Sequence, residues 1–390
     1  MSDLESLVLV VAAIYLFECA VWIGRSGVAF DRSWGKDWRF RHPGTILGNP
    51  HGALFLANPL PPLGSVFLSY PWPITLSPQG IVSLTASAIN PGGQPPQTLR
   101  YVTYEEARQI TAQGKKVFIN DSLFVKASSA PVARNLAAWL RELRALPENK
   151  RSSAIKQKAM DSLDTESVRK RWNDFQASGR RLRGLGNLLF WSLFAAAPLL
   201  LWRFGFKQAG LALAGGLLVQ TCTLGWHFWR AYGALFPGQT DERFVPFVTM
   251  LLAPPTAIRA HDLLGRHLLE SFHPLAVAQV LCRPAEFERL ATRALLDLHY
   301  PLQLEAWKAD PRVGAALDWF RQVLQQGSEK LLHRAGLEPS KLLQPPARTE
   351  RANQTFCPRC RAQFILAQGT CEECGGRSLQ PLPDRIQLPH

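Results

Sequence analysis

The sequence predicts an α-helical multi-pass membrane protein with three spans, its N-terminus outside and its C-terminus in the cytoplasm. A small cytoplasmic α+β domain, a helical C-terminal region and a compact four-cysteine module complete the expected architecture. Three observations carry this. Residues 185–232 hold two long apolar segments joined by a short basic connection. Residues 4–23 form another apolar run, and the chain's excess of positive charge falls between these two regions.

The central pair comes first because the rest hangs from it. A helix crossing the hydrocarbon core needs roughly 20 mostly apolar residues. Residues 185–202 are broken only by Asn187 and Ser192, and residues 209–229 carry no Asp, Glu, Lys or Arg. Arg203 and Lys207 sit in the connection, where long cationic side chains reach head groups. Trp202, Trp226, Trp229 and Tyr232 mark the ends as an interfacial aromatic belt does. Small residues four apart, Gly210 with Ala214, Ala212 with Gly216 and Ser192 with Ala196, suit close helix packing. The competing reading is a buried soluble hairpin.

Residues 1–24 are expected to be a retained anchor. They carry the acids Asp3, Glu5 and Glu18 and lack the basic start and small-residue cleavage site of a secretory signal. The net charge of +14 is unevenly placed: residues 25–183 hold 23 Lys or Arg against 11 Asp or Glu, whereas residues 230–390 hold 19 against 16. Basic residues concentrated beside spans mark a cytoplasmic face. Topology thus accounts for most of the charge without nucleic acid, and places the protein in a membrane, a prokaryotic plasma membrane by expectation, with most of the chain cytoplasmic.

Residues 44–147 read as the α+β domain. Eleven prolines lie between positions 43 and 96 among short apolar runs, a pattern of brief strands with many corners. Thr103 and Glu106 have capping-box spacing and predict a helix stopping at Gly114. Asn120-Asp121-Ser122 between two apolar stretches predicts a hairpin turn. A helix from Pro131 should bury Val132, Leu136, Leu140 and Leu143. Residues 150–183, with ten bases against four acids and Val168, Trp172 and Phe175 on one face, form a basic amphipathic juxtamembrane helix. An ordinary helix packed by that face on the α+β domain is the equal alternative.

Beyond the central pair, residues 244–258 are apolar but short and contain Pro246, Pro254 and Pro255. A re-entrant or interfacial segment is expected there. Residues 259–338 read as a helical region by periodicity, with helices over 256–272, which begins just before it, 285–299 and 311–326. A loose linker with Pro345 and Pro346 then precedes residues 355–382.

That last stretch holds Cys357-Pro358-Arg359-Cys360 and Cys371-Glu372-Glu373-Cys374. Each CxxC turn aims two thiolates at one point, and two turns give the closed tetrahedral sulfur site that zinc prefers. The module resembles the rubredoxin-like zinc ribbon over about residues 356–382, which implies a short hairpin carrying each knuckle and a structural Zn on Cys357, Cys360, Cys371 and Cys374. Iron in an electron-transfer role is the competing occupant. Cys19, Cys222 and Cys282 are scattered in apolar or helical sequence and read as small buried hydrophobes.

No catalytic signature appears: there is no Walker motif, G-x-S-x-G or HExxH. His261, His267 and His273, six apart, do not share a helix face. The expected function is therefore a non-catalytic membrane adaptor or assembly factor that presents cytoplasmic surfaces to a protein partner, with the lipid bilayer as its other partner. The alternative is a membrane-embedded enzyme or transporter subunit using residues 244–262, with Arg259, His261 and Asp262. A tethered nucleic-acid-binding ribbon is weaker, because residues 356–382 offer only Arg359, Arg361 and Arg377 against Glu372 and Glu373.

Overall fold

The proline-rich first third of the chain supplies short antiparallel strands. The computed structural model describes residues 10, 28–29, 53–56, 66–70, 74–85, 98–114, 116–126, 130–236, 243–253, 257–258, 260, 264, 272–281, 284–301 and 310–383. The chain divides into two units: Met1–Arg39, Ala53–Tyr70 and Glu166–Glu270 in the first, and Phe40–Gly52, Pro71–Thr165 and Ser271–His390 in the second. The anchor expected over residues 1–24 lies, apart from the exposed helical Val10, outside the described residues, as do Arg259, His261, Asp262 and His267.

In the second unit, β4 (Ile74–Leu76), β5 (Gly80–Thr85) and β6 (Thr98–Thr103) form one sheet in that order. A second sheet contains β7 (Ile110–Gln113), β8 (Lys116–Ile119) and β9 (Ser122–Lys126). Asn120 and Asp121 join β8 to β9 with φ of 50° and 60°, the positive values that a tight two-residue hairpin requires. The Ser83 hydroxyl donates to the Phe124 carbonyl at 2.6 Å and ties the two sheets together.

The helix expected after Thr103 does not form, although its cap does. Thr103 N–H donates to Glu106 Oε2 at 2.9 Å and Glu106 N–H to Thr103 Oγ1 at 3.1 Å. The Asn120 side chain then accepts from Gln109 N–H at 3.0 Å and donates to the Glu106 carbonyl at 2.6 Å. These are backbone groups a continuing helix would need, so the capped turn stops and Ile110 enters β7.

Helices α1 (Ala130–Ala145) and α2 (Glu148–Ser162) follow. Leu136, Leu140 and Leu143 are buried as their spacing predicts. The C-terminal part of the same unit contributes α6 (Pro274–Leu281), α7 (Pro284–His299), α8 (Pro311–Arg334) and the short α9 (Pro339–Leu342). Asp310 caps α8, accepting from Arg312 N–H at 2.9 Å. Leu298, Phe320, Val323 and Leu324 from α7 and α8 join Ile74, Leu76, Tyr104, Phe124 and Leu140 in one core. The helical C-terminal region and most of the expected α+β domain are therefore one folding unit, and residues 53–70 fall in the other.

In the first unit, β1 (Val28–Ala29), β3 (Val66–Tyr70) and β2 (Ala53–Leu56) form an antiparallel sheet in that order. Its helices are α3 (Thr165–Trp191), a π segment at Ser192–Ala196, and α4 (Ala197–Leu235). The π segment ends two residues before Pro198, whose missing N–H and ring disturb the α-helical ladder in the preceding turn. Val168 and Phe175 are buried and Trp172 packs in the hydrophobic cluster with Phe175, so this face meets protein. The stretch Thr165–Leu235 is the one helix among the described residues long and apolar enough to cross a membrane, and only 29% of its most apolar window is buried.

That stretch is broken within the expected connection. Gly205 has φ 72° and ψ 165°, a conformation essentially confined to glycine. A straight helix would hold Leu189 and Leu224 about 50 Å apart; with the break, Leu189, Phe190 and Leu193 share one hydrophobic cluster with Leu224 and Phe228. Trp202, Leu211, Val219 and Trp226 remain on the surface, Trp202 and Leu211 being more than 80% exposed. Within residues 244–258, α5 (Phe244–Leu252) has nine residues, about 14 Å of helix and too short to cross the hydrocarbon core. It packs on α4, with Phe247 against Gly225 and edge-on to Trp229, and Arg243 stacks on Trp229 at 3.9 Å.

Candidate metal centre

The cysteine-rich module is built from very short strands: β10 (Thr355–Phe356) pairs with β11 (Gln363–Phe364) and β14 (Gln380–Pro381), and β12 (Thr370–Cys371) with β13 (Arg377–Ser378). Each hairpin carries one CxxC turn. Strands of two residues cannot bury a core of their own, and the centre of the module is instead Cys357, Cys371 and Cys374 with Cys360, Phe364 and Leu379 packed around them.

The chain reversals are local. In the first knuckle, Arg361 takes φ 61° and donates its N–H to the Cys357 carbonyl at 2.8 Å, while Cys357 N–H donates to the Ala362 carbonyl at 2.9 Å. In the second, Gly375 and Gly376 take φ of 73° and 75°, and Gly376 N–H donates to the Cys371 carbonyl at 3.0 Å. The second knuckle uses glycine where left-handed backbone is needed; the first places an arginine there.

All four sequence-predicted ligands come together. The sulfur atoms of Cys357, Cys360, Cys371 and Cys374 lie within 4.8 Å of one another, none is in a disulfide, and Cys360 Sγ is 3.8 Å from Cys371 Sγ. A tetrahedron with metal–sulfur bonds of about 2.3 Å has sulfur–sulfur edges of about 3.8 Å. Three of the cysteines are buried and Cys360 is half-buried. The donor set, its convergence and its burial all fit a closed tetrathiolate metal site, and four protein ligands leave no open coordination position for substrate.

Among themselves the thiols share protons unevenly. Hydrogen bonds from Cys360 and Cys374, aided by the Cys360 and Arg359 amides, hold Cys357 far below the ordinary thiol range. The bond to Cys357 pushes Cys360 up to about 11, burial pushes Cys371 up to about 11, and Cys374 is raised further. A dication would convert such a set to four thiolates by displacing the protons, so its binding there would depend on pH.

The surroundings were not foreseen from the sequence. Arg359, between the two cysteines of the first knuckle, is buried, and its Nη2 lies 2.9 Å from Oδ1 of Asp297 on α7, itself 2% exposed. Its Nη1 is 3.9 Å from Cys374 Sγ. Arg293, one helical turn before Asp297, places Nε 3.2 Å from Asp297 Oδ2 and donates from Nη1 to the Arg359 carbonyl at 3.3 Å. Burial pushes the Asp297 carboxyl above the usual carboxylate range, and the two guanidinium groups oppose that shift. Arg361 donates to the carbonyls of Leu342 and Gln344, and Arg377 donates to the Pro301 carbonyl at 2.6 Å and stacks on Tyr300. The ribbon expected beyond a loose linker is thus pinned to the helical region by three arginines.

His273, the one described member of the histidine trio, is unrelated to this centre in role. It caps α6, its Nδ1 accepting from Leu275 N–H at 3.2 Å, and its backbone N–H donates to the Ser162 carbonyl at 2.7 Å. Comparison of the chain with protein-family models, with curated proteins and with solved structures finds no match.

Proposed function

We propose that this protein is a non-catalytic integral membrane adaptor or assembly factor whose zinc-bearing ribbon presents a rigid surface to a cytoplasmic protein partner. The observation that carries the reading is the ribbon itself. Its sulfur shell is closed and suits a structural Zn, it is anchored on α7 and α9, and it leaves Ile365 and Leu366 adjacent and more than half exposed. These two exposed aliphatic residues lie in the connection between the two hairpins, where the Thr355 hydroxyl donates to the Leu366 carbonyl at 2.7 Å, and together offer an anchor for a partner.

The membrane side of the proposal is three spans, residues 4–23, 185–202 and 209–229, with the N-terminus outside and the C-terminus in the cytoplasm. The glycine break at Gly205 and the exposed apolar faces of α3 and α4 support it, as does the placement of positive charge. A plasma membrane of prokaryotic type is the location this reading takes. Nucleic acid has no part in it, because Arg359, Arg361 and Arg377 are engaged in holding the ribbon in place.

The test is affinity capture from detergent-solubilised membranes after mild crosslinking, comparing the wild type with the double variant Ile365→Glu, Leu366→Glu. The proposal expects one or a few proteins recovered reproducibly with the wild type and lost with the variant. No reproducible partner, or the same set from both, would count against it.

A further inference from the structure

We infer that Arg359 is a positioning residue that makes metal binding by the four cysteines and docking of the ribbon on α7 one coupled event. The inference rests on reading the cysteines as a metal centre.

Four thiolates around a dication leave two net negative charges in a buried place, and buried net charge is costly unless it is paired. Arg359 is positioned to do this: it is 3% exposed, and one nitrogen faces Cys374 Sγ while another faces Asp297. It also lies in the knuckle itself, between Cys357 and Cys360, so its backbone cannot stay in place if the knuckle opens. Helix α7 grips that position twice. Asp297 holds the side chain, and Arg293 holds both the Asp297 carboxylate and the Arg359 carbonyl.

Opening the knuckle therefore withdraws one of the two cations facing a carboxylate that is 2% exposed, and loosening α7 removes the Asp297 and Arg293 contacts that hold Arg359 beside Cys374. Each event disfavours the other's intact state, and such coupling acts equally in both directions. The ribbon is, on this account, a metal-dependent clamp on the core to which α7 belongs, through Leu298 at its end.

The experiment uses the full-length protein in detergent with Co2+ as the metal. Wild-type protein should take up one Co2+ per chain with a tetrahedral tetrathiolate spectrum and lose it to Zn2+; failure to bind would refute the metal centre itself, separately from the coupling. Given binding, Arg359→Met should weaken metal affinity in chelator competition by about 10- to 100-fold, as loss of an outer-shell partner does. It should also shift the sulfur-to-cobalt band, and Arg359→Lys should recover part of both. Removing metal from the wild type should speed hydrogen exchange across Pro284–His299, and Asp297→Asn, which leaves Arg359 in place should the methionine variant misfold, should largely abolish that response. Wild-type affinity and spectrum in Arg359→Met, or α7 exchange indifferent to metal in the wild type, would overturn the inference.

Discussion

Acidification should weaken the second unit through His273. The residue is completely buried at the start of α6, and burial lowers its pKa from 6.5 to about 4. Its Nδ1 accepts from Leu275 N–H, so a proton added there removes the cap as well as placing a charge in the core. Because the folded-state pKa is the lower one, the unfolded chain binds more protons between pH 6.5 and 4, and stability falls as pH falls through that window. With those two values the loss is about 1.4 kcal/mol at pH 5.5 and about 2.5 kcal/mol at pH 4.5, relative to pH 7.5. The ribbon also responds to acid, so the measurement must be differential. Asn caps helices well and does not titrate. Denaturant unfolding of the full-length protein in detergent, followed by tryptophan fluorescence, should show the wild type losing about 2.5 kcal/mol more than His273→Asn between pH 7.5 and 4.5. Parallel stability profiles for the two proteins would show that His273 is not the group responsible.

Other perturbations separate the two units and the ribbon. Phe320→Ala, at a fully buried position of the second unit's core, should cost about 3–5 kcal/mol in the same assay. In the first unit, a Cβ at Gly186 would stand 2.8 Å from the Ile258 carbonyl oxygen, so Gly186→Ala should lower the melting temperature through about 1–3 kcal/mol of overpacking. At Gly205 a Cβ meets nothing, yet φ is 72°; Gly205→Ala should cost about 1–3 kcal/mol from backbone strain alone, with no loss at the neighbouring Gly215→Ala control. Metal affinity of the ribbon, measured by chelator competition, should rise with pH from 6 to 8, because Cys360 and Cys371, pushed up to about 11, must release protons to bind.

What the sequence reveals depends on how local the determining interaction is. The four cysteine ligands are legible because each CxxC turn is a four-residue signal, and the Asn120-Asp121 hairpin because both residues tolerate positive φ. The same holds for α1 and α8, whose apolar spacing is regular. Thr103 to Gly114 shows the limit. The capping-box bonds form as the residues predict, but Asn120, eleven residues beyond Gln109, takes the next backbone groups and turns the chain into a strand. The merging of the α+β domain with the helical region depends on Phe320 and Leu324 meeting Ile74 and Leu140, contacts with no local trace. The clamp was hidden for the same reason. Arg359 reads as an ordinary knuckle residue until Asp297, 62 positions away in sequence, is found beside it.

The proposed topology, a membrane-anchored chain with its ribbon in the cytoplasm, is open to thiol labelling in intact cells. With Cys19, Cys222 and Cys282 replaced and the four ribbon cysteines retained, single cysteines are introduced as Ser2→Cys, Gln208→Cys or Gln387→Cys and treated with a membrane-impermeant maleimide. With three spans, positions 2 and 208 should label and position 387 should not until the cells are opened. Labelling of position 387 in intact cells would place the ribbon outside and rule out this topology.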